Sequence, residues 1–290
     1  MKKQINIAVL GNTEVGKTTL LSALTAYAAQ KGFGELIDPL DIDDTSIKKD
    51  DVVVSFAKVD VEADKTYSFY EFDTTADFYK GVLSGAVRID AVLHVYDSEC
   101  AFLPFQRDAL RFMKRVGIDT IFGCCNLMGF VDEEFLELID MEYEGTLEDL
   151  EFEDCAEYHF AINCSDAAME FEDDLNRVEL LFDCIAENAR VTETMDGPSA
   201  VVTDFDAEIY MFSHSEFGNS RPIMSPVSIH FVGEDACYTC SFDCEDLITP
   251  SSQMNLTFTL DEPRRIKVGD VFFIDNRGKI AAIARVTELK

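Results

Sequence analysis

The stretch VLGNTEVGKTTLL, residues 9 to 21, spells Gly11-x-x-x-x-Gly16-Lys17-Thr18 between an apolar run and a helix-like run. That order of residues suits the holding of phosphate. Glycines at both ends let backbone N–H groups turn inward on anionic oxygens, and the start of the following helix adds partial positive charge. The expected cradle is Gly11, Glu14, Val15, Gly16, Lys17, Thr18 and Thr19. Lys17 is expected to reach the outer phosphates, and the Thr18 hydroxyl to ligate magnesium. The loop names neither a base nor a reaction, so both must be sought further along the chain.

The elements that hold such a loop follow in order. INIAVL reads as a strand, and TTLLSALTAYAAQ as a helix with apolar residues at helical spacing. VVVSFAKVDV and TYSFYEF read as two adjacent strands joined by the polar turn EADK. Helices are expected over 78–87, 105–115, 133–143 and 174–188, alternating with the strands AVLHVYD, TIFGCC and YHFAIN. That alternation predicts an α/β fold, a mostly parallel, doubly wound sheet with ligand at its carboxyl edge. Near 196–199 the pattern changes to short runs without helix, AEIYMFS, VSIHFVG, CYTCSF, LTFTL, VFFIDNRG and IAAIARVTEL. These predict a small all-β barrel, dividing the chain into 1–195 and 196–290.

Composition bounds the function. At 47% hydrophobic, 290 residues suffice for two buried cores. No apolar run approaches the roughly 18 residues of a membrane span, and the opening MKKQINIAVLGNTEVGK is too short in apolar residues for a signal peptide. A cytoplasmic protein is expected. The nine cysteines are scattered and odd in number, which reads as reduced thiols. Cys237 and Cys240 lack a second pair of matching spacing, so they read as strand residues rather than a zinc site. The net charge is −32, and residues 142–158 carry eight acids and no base. Such a surface forgoes the counterion release that drives binding to DNA or RNA.

Reading on from Asp73, the segments DFYKGVLSGAVRIDAVLHVYDS, FQRDALRFMKRVGIDTI and VDEEFLELIDMEY resemble the G domain of bacterial elongation factor Tu. TDFDAEIYMFS, SPVSIHFVG and FTLDEPRRIKVGDVFFIDNRGKIAAIARVTEL are similar to its third, β-barrel domain. The resemblance implies a P-loop G domain that binds GTP or GDP with Mg2+, followed by that barrel. It also implies an absence. The family's middle barrel, which helps hold the amino-acid end of charged tRNA, has no counterpart, and this argues against carriage of aminoacyl-tRNA.

Several motifs depart from the family. Its Asp-x-x-Gly-His aligns with Asp73-Thr74-Thr75-Ala76-Asp77, keeping Asp73 for magnesium but losing the glycine and the water-positioning histidine. Asp77 would oppose the charge developing in phosphoryl transfer. The switch threonine aligns with Val53, and Asn-Lys-x-Asp with Asn126-Leu127-Met128-Gly129. Asn126 can still meet the purine N7, but Gly129 offers no carboxylate, which forfeits on the order of tens to thousands of fold in guanine preference. Asp132 lies too far along to substitute, and the last base-contacting stretch reads Cys164-Ser165-Asp166. His94, inside AVLHVYD, reads as a core histidine with its hydrogen bonds satisfied. The expectation is a nucleotide binder that is at most a weak GTPase and acts through a protein partner, without DNA or membrane. Two alternatives remain: a decoy of elongation factor Tu that binds no nucleotide and captures one of its partners, and an active GTPase with rearranged motifs.

Overall fold

A computed structural model describes residues 3–44, 47–49, 52–62, 65–72, 75–83, 87–98, 102–127, 132–190, 197–212, 222–232, 234, 236–244, 248–275 and 280–290. The chain divides into two compact units, Met1–Phe78 with Arg88–Thr192, and Glu193–Lys290 with Tyr79–Val87.

The first strand, β1 (Lys3–Gly11), leads into α1 (Lys17–Gln30), followed by α2 (Pro39–Asp44), β2 (Ile47–Lys49), β3 (Val52–Glu62), β4 (Lys65–Phe72) and α3 (Thr75–Leu83). Next come β5 (Ala91–Asp97), α4 (Pro104–Val116), β6 (Ile121–Asn126), α5 (Glu133–Asp149), β7 (His159–Ile162), α6 (Cys164–Ala168) and α7 (Glu172–Asn188). The seven strands lie in the order β2-β3-β4-β1-β5-β6-β7. From β4 to β7 they run parallel, while β3 and β2 add an antiparallel edge. The central strands are buried on both faces, as their near-continuous apolar sequence requires.

Strand alternation sorts the two faces. Ile5, Ile7, Val9, Leu93 and Val95 pack with Leu20, Leu24, Val178 and Phe182 of α1 and α7 in one core. On the other face Phe78 of α3 meets Phe72 at 5.4 Å and Phe112 of α4 at 5.9 Å, while Tyr143 of α5 stacks on Tyr96 at 4.8 Å. Helix α1 has no polar face to show, since Leu20 to Ala28 are all buried, and it must therefore lie within the packing rather than on the surface.

The second element set is β8 (Ser199–Met211), β9 (Val227–Phe231), β10 (Cys237–Phe242), β11 (Gln253–Lys267), β12 (Val271–Asp275) and β13 (Ile280–Leu289). They close as an antiparallel barrel in the order β10-β11-β8-β13-β12-β9. Inward residues alternate, so Phe205, Ile209, Phe258, Phe272 and Ile274 fill the interior.

Several elements depart from their expected bounds. Helix α5 continues six residues beyond 143, through Gly145, because Tyr143, Thr146 and Leu147 keep the buried spacing going. Helix α3 spans Thr75–Leu83, beginning and ending earlier than the expected 78–87. Strand β11 extends past LTFTL because a register shift between Thr259 and Arg264 accommodates Pro263, after which pairing with β8 resumes. Cys237 is exposed and Cys240 buried, as residues three apart on one strand must be, and every described cysteine is a free thiol. Among the described residues no helix is long and apolar enough to cross a membrane.

Candidate functional site

The loop lies at the carboxyl end of β1. Its fit is tight at both glycines. Gly11 pairs with Val95 of β5, and a Cβ there would strike the Val95 carbonyl oxygen. Gly16 opens α1 in the left-handed region at φ 92°, and a Cβ there would strike the Asn126 amide. Glu14 also takes a left-handed turn at φ 66°, a conformation few non-glycine residues adopt. The first closed helical bond runs from the Leu20 N–H to the Gly16 carbonyl at 2.9 Å. The N–H groups before it have no acceptor within the helix.

The side chains converge on the space in front of the loop. The Lys17 ammonium donates to the Asn12 carbonyl at 2.9 Å and lies 3.5 Å from the Gly11 carbonyl, which folds it back along the loop. The Thr18 hydroxyl donates to the Glu71 carboxylate at 3.0 and 3.2 Å, and the same carboxylate lies 3.8 Å from the Lys17 ammonium. Sequence reasoning passed over Glu71. It carried a signal nonetheless: Tyr67, Phe69 and Glu71 alternate along β4, so an acid follows two core residues on the α1 face at the strand's carboxyl end. Asp73, expected to serve magnesium, lies outside the described residues, as do Thr74, Met128 and Gly129. Ala76 and Asp77 fall in the first turn of α3. Val53 stands on β3 opposite Lys48.

Asn126 ends β6 and is 4% exposed. Its amide nitrogen donates to the Val15 carbonyl at 2.9 Å, and its oxygen accepts the Cys164 N–H at 3.1 Å. It thereby ties the phosphate loop to the start of α6, where Cys164, Ser165 and Asp166 lie. The second amide hydrogen of Asn126 is the one the side chain can offer a base. Asn163 caps α6 by accepting the Asp166 N–H at 3.2 Å. Behind these loops the Cys124 and Cys164 thiols meet at 3.9 Å, and that contact together with burial pushes the Cys124 thiol well up. Asp132 proves to be the N-cap of α5, accepting the Glu134 N–H at 3.0 Å.

His94 is a core residue, as expected, but its hydrogen bonds are not satisfied. Among the described residues neither ring nitrogen completes a hydrogen bond, although the Gln106 side chain lies nearby, and the ring stacks on Phe102 at 4.6 Å and Tyr96 at 5.5 Å. Burial pushes its imidazole down to about 3, offset only in part by the Gln106 side chain.

The donor set fits a nucleoside phosphate with a divalent cation. The glycines leave room for backbone to approach an anion, Lys17 supplies the countercharge, and Thr18 with Glu71 supplies hard oxygen ligands of the kind magnesium takes. A loop of this build, opening a helix at the carboxyl end of the central strand of a doubly wound sheet, marks the phosphate-loop class of nucleotide-binding domains. Within that class the chain belongs to the elongation factor Tu GTP binding domain family, whose model matches residues 2–202, more than half of its length. Proteins of this family bind GTP or GDP with magnesium.

Proposed function

We propose that this chain binds GDP or GTP with magnesium, hydrolyses GTP slowly or not at all, and acts by engaging a protein partner. Gly16, Lys17, Thr18 and the free amide hydrogen of Asn126 are the binding groups, with Thr18 and Glu71 as oxygen donors that would hold the cation; Asp73 is a further candidate. The cation would shield phosphate charge. Lys17 holds the outer phosphates, and the glycines admit backbone N–H groups to them. The observation that carries the reading is the intact loop, with Lys17 folded onto the Asn12 carbonyl and Thr18 held by a carboxylate. Weak hydrolysis rests on the sequence after β4, where no glycine or histidine follows within the first turn of α3.

Support for a protein partner comes from α5. Phe135, Leu138 and Met141 are spaced three apart and are 44%, 61% and 68% exposed, an apolar stripe among acids. Calorimetry with GDP, GTP and ATP in magnesium tests nucleotide binding. GDP and GTP are expected to bind, and Lys17→Ala to weaken GDP by on the order of 100-fold, the loss expected of a charge-assisted contact. Absence of heat with all three nucleotides at high concentration would end the proposal. In that event the second reading stands, a nucleotide-free decoy of elongation factor Tu, favoured by the one closed barrel that follows the sheet among the described residues. A steady release of phosphate from GTP would instead show an active GTPase.

A further inference from the structure

Glu71 stands on β4 opposite Val9 of β1, and strand alternation turns its side chain toward the amino end of α1. There it meets the two side chains that the loop reserves for its ligand: the Thr18 hydroxyl at 3.0 Å and the Lys17 ammonium at 3.8 Å. The Lys17 and Glu71 side chains are only 11% and 13% exposed, so water screens this contact poorly. A phosphate oxygen approaching Lys17 therefore meets a carboxylate already beside it, and like charges in one poorly screened site oppose each other. Glutamate is long enough to bond the Thr18 hydroxyl directly, so the same side chain also holds the donor that a cation would use as a ligand.

Resting on the nucleotide-binding reading above, we propose that Glu71 makes the loop a cation-gated phosphate site. Without a divalent cation its carboxylate neutralises Lys17 and occupies Thr18, and a nucleoside diphosphate is held off. With the cation present the carboxylate has a stronger countercharge to turn to, which frees Lys17 and Thr18 for phosphate.

The decisive comparison is GDP binding by calorimetry in excess EDTA, wild type against Glu71→Gln, beside the same titrations in excess magnesium chloride. Glutamine keeps the length and the hydrogen-bond acceptor but removes the charge. Glu71→Gln is expected to bind GDP in EDTA at least about tenfold more tightly than wild type, because a charge beside the anion has been removed. Glu71→Ala should show the same gain if charge rather than shape is responsible, and the ligand-free melting of each variant shows that it is folded. Equal or weaker metal-free binding by both variants overturns the gate while leaving nucleotide binding intact. So does equal wild-type affinity in EDTA and in magnesium. If wild type fails to bind GDP even in magnesium, the nucleotide-binding reading falls and the gate falls with it.

Discussion

His94 shows what a single side chain can cost in this fold. It lies fully inside the face of the sheet that carries α4 and α5, where burial holds the imidazole neutral and drives its pKa from 6.5 to about 3. The unfolded chain takes up a proton below 6.5 that the folded chain refuses until about pH 3. Stability at this residue is therefore complete above 6.5 and is lost as pH falls toward 3, at about 1.4 kcal/mol per pH unit. His94→Phe keeps a flat ring for the stack and removes both buried nitrogens. Urea unfolding at pH 7 and pH 5 should show wild type losing about 2 kcal/mol more than the variant over that interval. Equal losses would mean that the imidazole is not held neutral by its surroundings. Glu71 is the other residue whose meaning depended on its neighbours: the sequence shows an acid at the end of a strand, and only the approach of Thr18 identifies the group it serves.

Among the elements, the packing of α5 on β6 explains a glycine that the strand pattern leaves unexplained. TIFGCC reads as a strand with a weak point in its middle, yet Gly123 is where the Tyr143 ring of α5 presses in, and a Cβ built there lies 2.6 Å from the ring carbon bearing the hydroxyl. Gly123→Ala is expected to destabilise the fold by about 1–3 kcal/mol through overpacking. Tyr143→Leu should recover part of that loss in the double variant, the His159 Cβ at 2.8 Å still crowding the site. A double-mutant cycle reads the coupling, and additive effects would show that the two residues do not share the space. The phosphate loop was legible from local sequence alone because its cradle, Gly11 to Thr19, lies within nine consecutive residues. The alternating strands and helices were legible because burial imposes their periods. What the sequence concealed were contacts between distant segments, Tyr143 with Gly123 and Glu71 with Thr18, and the continuation of α5 through Gly145 and Thr146, whose low helix propensity argues locally against a helix. Each is decided by what lies across the sheet.

For the whole molecule, charge sets conditions on everything the loop can do. With 56 acids and 24 bases, even complete pairing leaves 56 − 24 = 32 acids unmatched. Exposed pairs such as Lys31–Glu179 at 2.6 Å and Lys290–Asp206 at 2.7 Å contribute little each, and salt screens them. Repulsion is screened by the same ions, and with so large an excess of one sign it is the greater sum. Its local trace is visible on α7, where burial and the neighbouring Glu179 and Glu187 hold the Asp183 carboxyl above its usual range. The two effects of salt oppose each other, and the charge count decides between them. Raising sodium chloride from about 0.02 M to about 0.5 M, which shortens the screening length from about 20 Å to about 4 Å, is expected to raise the melting temperature by several degrees. A melting temperature that stays level or falls over that range would show that attractive pairs, rather than the unmatched acids, dominate the surface electrostatics of this fold.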